Sequence, residues 1–230
     1  MTNKTLFKKK CRKYFSFFEE VEGFEALVHE NGIIYTKIKE EVLTTAFLFF
    51  DTYHSPFKIS SLWFEKKIPL IEKIVQEIVE KKHDMEQHTI RTHFVSSTKS
   101  SPFLALPKEM LNVANEVIVQ QESDIEAAAT IIKEYFYSKE IQEFLSLTIE
   151  DLNQQLLECE DLNTYYANIF CPDGNGYLRT YIVAKYFNNQ RVFDWFNSLI
   201  LPWLKNNEDE YWHKKNDQIE KVNQLFNSKK

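Results

Sequence analysis

The chain has 230 residues, 43% of them hydrophobic and 15% aromatic, and a formal net charge of −6. This length and apolar content allow a sizeable core, which excludes disorder as the expected state. The longest apolar runs are far shorter than the roughly 20 residues of a membrane-spanning helix, and three widely spaced cysteines argue against a disulfide framework. We therefore expect a cytoplasmic protein that does not bind membranes.

The N-terminal region predicts a helix followed by a hairpin. Apolar residues at spacings of three and four predict a helix that begins near Thr5 and ends at Gly23. β-branched and aromatic residues dominate from Phe24 onward, which favours strands. The pair Asn31-Gly32 predicts a tight hairpin turn with positive φ at both central residues.

Further strands and one helix complete the predicted sheet region. Apolar segments at 43–50, 58–64 and 89–95 predict strands. Residues 68–79 show the apolar spacing of an amphipathic helix, with Glu72 off its apolar face. We expect an antiparallel sheet of about four or five strands with a packed helix.

The second half of the chain predicts helices alone. Apolar spacing predicts a helix from Pro107 to Gln121. Ser123 and Glu126 match a capping box, and Thr148 to Asp151 matches the start of another helix. Further helical segments are predicted over 178–187, 192–203 and 211–226.

The predicted fold class is therefore α+β, with an N-terminal helix, an antiparallel sheet carrying a packed helix, and an all-helical C-terminal half. Residues 96–102 are polar, rich in serine and end in proline, as in a flexible linker. We place a boundary there, between a sheet-containing region at 1–97 and a helical region at 103–230. The alternative is one continuous domain.

Acidic residues concentrate between Glu116 and Asp161. This segment holds twelve acids against Lys133 and Lys139, a net charge of −10, which leaves +4 for the rest of the chain. Such asymmetry argues against nucleic-acid binding and favours a basic protein partner, whereas the alternative is an ordinary solvated helix face. The glutamates predicted to contact the partner are Glu122, Glu126, Glu134, Glu140 and Glu143.

No motif identifies a chemical reaction. The sequence lacks a phosphate-binding glycine loop, His-Glu-x-x-His and Gly-x-Ser-x-Gly. His83, His88 and His93 are five residues apart, a spacing that regular structure cannot converge on one metal ion. We predict no catalytic residue, cofactor or metal. A second hypothesis is an enzyme or small-ligand-binding protein with a pocket between sheet and helices, to which His88, Arg91 and His93 contribute.

Four short motifs resemble a known bacterial family. Glu22-Gly23-Phe24, Thr89-Ile90-Arg91-Thr92, Asp124-Ile125-Glu126 and Thr148-Ile149-Glu150-Asp151-Leu152 occur in this order. The chain from Thr5 to Leu157 thus resembles a domain-of-unknown-function family numbered forty-three zero four. The resemblance implies no known catalytic residues. It implies a small bacterial protein, in a family with some members suspected of standing beside toxin genes as immunity proteins.

The sequence therefore predicts a non-catalytic binding protein whose acidic helical face docks a basic protein, and the resemblance implies an immunity-type role. A third hypothesis is a homo-oligomeric structural protein in which the aromatic C-terminal helices form the contact. The sequence leaves the oligomeric state open.

Overall fold

The computed structural model describes residues 3–79, 89–95, 101–162, 170 and 174–228, without the side chains of 92–95. The chain packs as two compact units, each made of two segments. The first unit comprises Met1–Lys66 and Thr92–Ser146, and the second comprises Lys67–Arg91 and Leu147–Lys230. Each unit takes residues from both sides of the predicted boundary at 96–102. Most of that stretch lies outside the described residues, and a division there stays a prediction.

The secondary structure confirms the predicted α+β class, with strands in the first half of the chain and mainly helices in the second. The strands are Glu25–His29 (β1), Gly32–Lys39 (β2), Val42–Asp51 (β3), Phe57–Lys67 (β4), Ile90–Val95 (β5) and Val117–Val119 (β6). The helices are Lys4–Tyr14 (α1), Phe17–Glu20 (α2), Pro69–Val79 (α3), Glu122–Phe136 (α4), Lys139–Ser146 (α5), Ile149–Glu158 (α6), Gly176–Phe187 (α7), Gln190–Trp195 (α8), Leu201–Asn206 (α9) and Glu210–Asn227 (α10). A π-helical turn at Phe196–Ile200 joins α8 to α9.

Among the described residues the strands form one six-stranded sheet, in the order β1-β2-β3-β4-β5. β1, β2 and β3 are antiparallel neighbours, and β6 pairs antiparallel with the first three residues of β4. The sheet thus has β1 at one edge. Its apolar residues alternate along β2, where Ile33 and Tyr35 are buried on the core side and Ile34 is only half-buried on the other.

The predicted N-terminal helix is divided into α1 and α2. Phe17 and Phe18 are both buried, although adjacent residues on one straight helix point about 100° apart. The two rings pack against different elements of the core, because Phe17 lies 5.8 Å from Phe136 of α4 and Phe18 lies 4.6 Å from Tyr35 of β2, between ring centroids. The second helix ends at Glu20, three residues before the predicted end at Gly23, and Gly23 has a φ of 69°.

Aromatic rings fill the core between the sheet and these helices. Phe18 of α2 lies 4.6 Å from Tyr35 of β2 and 5.3 Å from Phe136 of α4, measured between ring centroids. Phe7 of α1 lies 5.1 Å from Phe50 of β3. Burial of each phenylalanine side chain contributes about 2 kcal/mol, so these contacts fix α1, α2 and α4 on the sheet.

The first hairpin turns one residue earlier than predicted. His29 pairs with Gly32, so Glu30 and Asn31 form the turn between β1 and β2. Neither residue has positive φ. The predicted Asn31-Gly32 turn is therefore wrong.

Gly32 serves close packing of strands instead. A Cβ atom built on Gly32 would lie 2.3 Å from the carbonyl oxygen of Leu48 in β3. Any other residue would force the two backbones apart. The glycine is needed by the neighbouring strand, not by the turn.

The predicted helix from Pro107 to Gln121 is also wrong. This segment contains a 3-10 turn at Lys108–Met110 and the strand β6. Asn112 explains the difference, because its side-chain oxygen accepts hydrogen bonds from the N–H groups of Ala114 and Glu116, both at 2.9 Å. Such side-chain bonds compete with the helix for the backbone donors.

A buried ion pair joins α3 and α7 in the second unit. Glu72 and Arg179 have side chains that are 0% exposed. Two hydrogen bonds join the guanidinium to the carboxylate, at 2.8 and 3.1 Å. The prediction that Glu72 lies off the buried face of its helix is therefore wrong. Its carboxylate can be buried because the charge of Arg179 compensates the loss of hydration.

Candidate functional site: the acidic α4–α5 helices

The five predicted glutamates lie on α4 and α5 but do not share one face. Ile125, Ile132 and Phe136 form the buried side of α4. At about 100° per residue, Glu134 lies opposite this side and Glu126 lies on its flank. Both are exposed. The helix therefore presents its acids in two directions.

The first turn of α4 uses one acid for capping. Asp124 is buried, and its carboxylate accepts hydrogen bonds from the N–H groups of Gln120 and Gln121, both at 2.9 Å. The helix therefore begins at Glu122, one residue after Gln121. The predicted capping box of Ser123 and Glu126 is wrong, and the side chain of Glu126 is left in solvent.

Glu122 is engaged within the protein. Its carboxylate accepts hydrogen bonds from the ammonium of Lys10 and, at 2.9 Å, from the hydroxyl of Tyr14. These two hydrogen bonds hold the pKa of Glu122 below its usual value, and the bond from Lys10 has the larger effect. Docking of a partner on Glu122 would have to compete with α1.

The acids near the α4–α5 turn remain available to solvent. Glu143 forms an exposed pair with Lys139 at 3.5 Å, one helical turn apart, and such pairs contribute little stability. Glu126, Glu134 and Glu140 form no ion pair with any residue that the structure describes. We call Glu134, Glu140 and Glu143 the acidic surface.

Two tyrosines lie at this turn. Tyr135 is half-buried, and its pKa is raised to about 12, first by burial and then by the nearby charge of Glu140. Tyr137 donates a hydrogen bond of 2.7 Å from its hydroxyl to Glu22, ahead of β1. Glu140, in the first turn of α5, therefore lies close enough to Tyr135, near the end of α4, for its charge to affect the pKa of the tyrosine.

Helix α1 carries the opposite charge, a feature that the sequence analysis did not treat as functional. Most of its bases are used internally: Lys4 pairs with Glu30 at 3.3 Å, and Arg12 pairs with Glu19 at 2.6 Å. Lys9 is exposed and forms no ion pair within the described ranges. A groove of about 560 Å³ is lined in part by Lys9, Lys10 and Lys13 of this helix. The sequence signal for this basic helix was the run of lysines that precedes the first glutamate of the chain.

The alternative pocket is only partly described. Arg91 is half-buried on β5. His93 lies on the same strand, but its side chain lies outside the described residues, as does His88 entirely. Among the residues that the structure places, no group of three or more His, Cys, Asp or Glu could hold a metal ion. The pocket stays a prediction.

The loop before α7, which contains Gly174 and Asn175, is occupied by a cation of the protein itself. The buried ammonium of Lys215 donates to the Gly174 carbonyl at 3.1 Å and lies 3.5 Å from the side-chain oxygen of Asn175. It also lies 5.1 Å from the ring centre of Tyr177 and 5.0 Å from that of Tyr211. These contacts stabilise the charge of Lys215. The ammonium would in turn repel a metal cation from these two oxygens.

Comparisons with known proteins give no further assignment. No family model, curated protein or solved structure matches the chain. The resemblance to the domain-of-unknown-function family stays a prediction. Within the described ranges, no helix has the length and apolar character required to span a membrane.

Proposed function

We propose that the protein is a non-catalytic binding protein whose acidic surface docks a basic protein in the cytoplasm. The partner class is a protein with clustered lysine and arginine, such as the nucleic-acid-binding face of a toxin, for which this chain acts as the immunity protein. The same negative charge repels nucleic acid.

One observation carries the proposal: one acid of α4 and one of α5 project into solvent without an ion-pair partner in the described part of the chain. Glu134 and Glu140 are exposed and form no ion pair with the described residues. Charges left in solvent attract an oppositely charged partner over about 10 Å at 0.1 M salt, which speeds association. Glu126 adds to this charge from the flank of α4, whereas Glu122 contributes less because Lys10 neutralises it.

The first experiment is calorimetric titration of the protein with the purified product of the neighbouring gene at low and high salt. We expect binding that weakens about tenfold or more when salt rises from about 0.05 to 0.5 M, because screening shortens the range of the attraction. Binding that does not change with salt would contradict a charge-driven interface. Absence of binding would show that the product of the neighbouring gene is not the partner.

Charge reversal then locates the surface. The double variant Glu134→Lys with Glu140→Lys should weaken binding about a hundredfold, since each reversal replaces an attraction with a repulsion. Its matched control is Glu77→Lys with Glu150→Lys, which changes net charge equally at two exposed helical acids of the second unit. Equal losses in both variants would show that only net charge matters and would refute the proposed surface.

A further inference from the structure

β1 leaves one edge of the sheet open. It is the terminal strand in the order of the sheet, and no described strand pairs with its outer side. Its residues are exposed except for the half-buried Ala26, with Leu27 60% and Val28 40% exposed. Edge strands are usually protected by shortness, by charged residues, especially lysine, by proline or by a bulge. β1 is short and carries an acid at its first residue, Glu25, but it has no lysine, proline or bulge between Glu25 and His29.

The backbone of β1 is correctly oriented for a further strand. Because His29 and Gly32 close a two-residue turn, they form a hydrogen-bonded pair. Bonded and non-bonded pairs alternate along an antiparallel ladder. The N–H and C=O groups of Ala26 and Val28 therefore point away from β2.

From this edge we infer that two copies of the protein pair through β1, antiparallel, about a two-fold axis at Leu27. In this register Ala26 of one copy exchanges both backbone hydrogen bonds with Val28 of the second copy. Leu27 lies opposite Leu27. The inference is independent of the acidic surface, which lies on other elements.

Charge complementarity selects this occupant. The same register places Glu25 opposite His29 of the second copy, and the two-fold axis repeats the pair. Both positions are non-bonded pairs, where side chains of facing strands are closest. A carboxylate and an imidazole there can form a hydrogen bond or an ion pair at each end of the contact. The strand is thus complementary to itself.

The apolar face of the sheet would also become continuous between the copies. Leu27 lies opposite Ile34, which lies opposite Phe47, and residues opposite each other project from the same face. Phe47 and Phe49 pack on Trp63 with ring centroids 5.7 and 4.4 Å apart. Pairing at Leu27 would join the two apolar rows and remove its side chain from water.

Paired five-residue strands bury less surface than the roughly 1,200 Å² of the smallest stable complexes. The dimer should therefore depend on protein concentration. Sedimentation velocity of the full chain over a concentration series should show a monomer–dimer equilibrium. A monomer at every concentration up to the millimolar range would overturn the inference.

A charge exchange tests the register. Glu25→Lys alone removes two favourable contacts with His29, and His29→Glu alone creates two contacts between like charges. Each variant should weaken the dimer about tenfold. The double variant restores opposite charges and should recover the wild-type association within about threefold. Failure of the double variant to recover while it remains folded by circular dichroism would overturn the register.

A cysteine at the two-fold axis gives a second test. Cα atoms of a non-bonded pair lie about 4.5 Å apart, within the range for a disulfide. Leu27→Cys should therefore form a disulfide-linked dimer with oxidised glutathione. The control Ile38→Cys, at a position 74% exposed on the neighbouring strand, should not. Equal cross-linking of both variants would contradict pairing through β1.

Discussion

Glu72 and Arg179 show how a single residue can escape a pattern and yet determine stability. The sequence pattern of α3 places Glu72 among the polar positions, because a carboxylate is assigned to solvent unless its partner is known. The partner lies 107 residues away, which no local pattern reports. The same limit hid the engagement of Glu122 by Lys10. The exposure of Glu134, in contrast, follows from its spacing against Ile132 and Phe136 on the same helix.

We predict that Glu72→Gln lowers the free energy of unfolding by about 3 kcal/mol or more. The variant keeps the size of the side chain but leaves the buried guanidinium of Arg179 without its counter-charge. Urea denaturation of the full chain measures the loss. The matched control is Glu143→Gln, which removes one member of the exposed pair with Lys139 and should cost less than about 0.5 kcal/mol. Similar losses in both variants would contradict the importance of the buried pair.

At the scale of elements, long amphipathic helices were predicted well and turns were not. The segment predicted at 68–79 differs from α3 by one residue at its start, and the segment predicted at 211–226 differs from α10 by one residue at each end. Apolar periodicity specifies which side of a long helix is buried. Periodicity failed at β6, since the Asn112 side chain bonds backbone donors that a helix would need. It also failed at the first hairpin, where the sequence shows Gly32 but not the approach of Leu48.

The turn between β2 and β3 is the weaker of the two hairpin turns. Glu40 and Glu41 have φ values of 51° and 66°, and a non-glycine residue in this conformation costs roughly 1 kcal/mol. Replacing the pair by Asn-Gly should therefore raise the free energy of unfolding by about 1 kcal/mol, measured by thermal denaturation. The same replacement at Glu30-Asn31, where φ is negative, is the control. It should give no gain, and an equal gain there would refute the backbone explanation.

For the whole molecule, the α+β class was predictable from the order of patterns along the chain, but the grouping of segments was not. Each compact unit combines segments that are distant in sequence, and spacing within a segment carries no information about this. The predicted boundary followed from composition alone. The acids of α4 and α5 were predictable as a charged segment, but the sequence analysis did not predict that Glu126 and Glu134 point in different directions from α4.

A fragment that begins at residue 103 should not fold cooperatively. It would contain Arg179 without Glu72 and β6 without β4, leaving a buried charge unpaired and a strand without its neighbour. Circular dichroism and urea denaturation of the fragment beside the full chain measure this. A cooperative transition in the fragment would instead establish the independent helical region that the sequence predicts.

The close approach at Gly32 also limits how the sheet can be misassembled. If β2 slid along β3, a residue bearing a side chain would arrive against the Leu48 carbonyl, and the strands would have to separate. The absence of a side chain at position 32 thus allows only one register between β2 and β3. The register of β2 also determines which side chains of β1 face outward. The glycine at position 32 therefore helps to determine which residues of β1 are exposed.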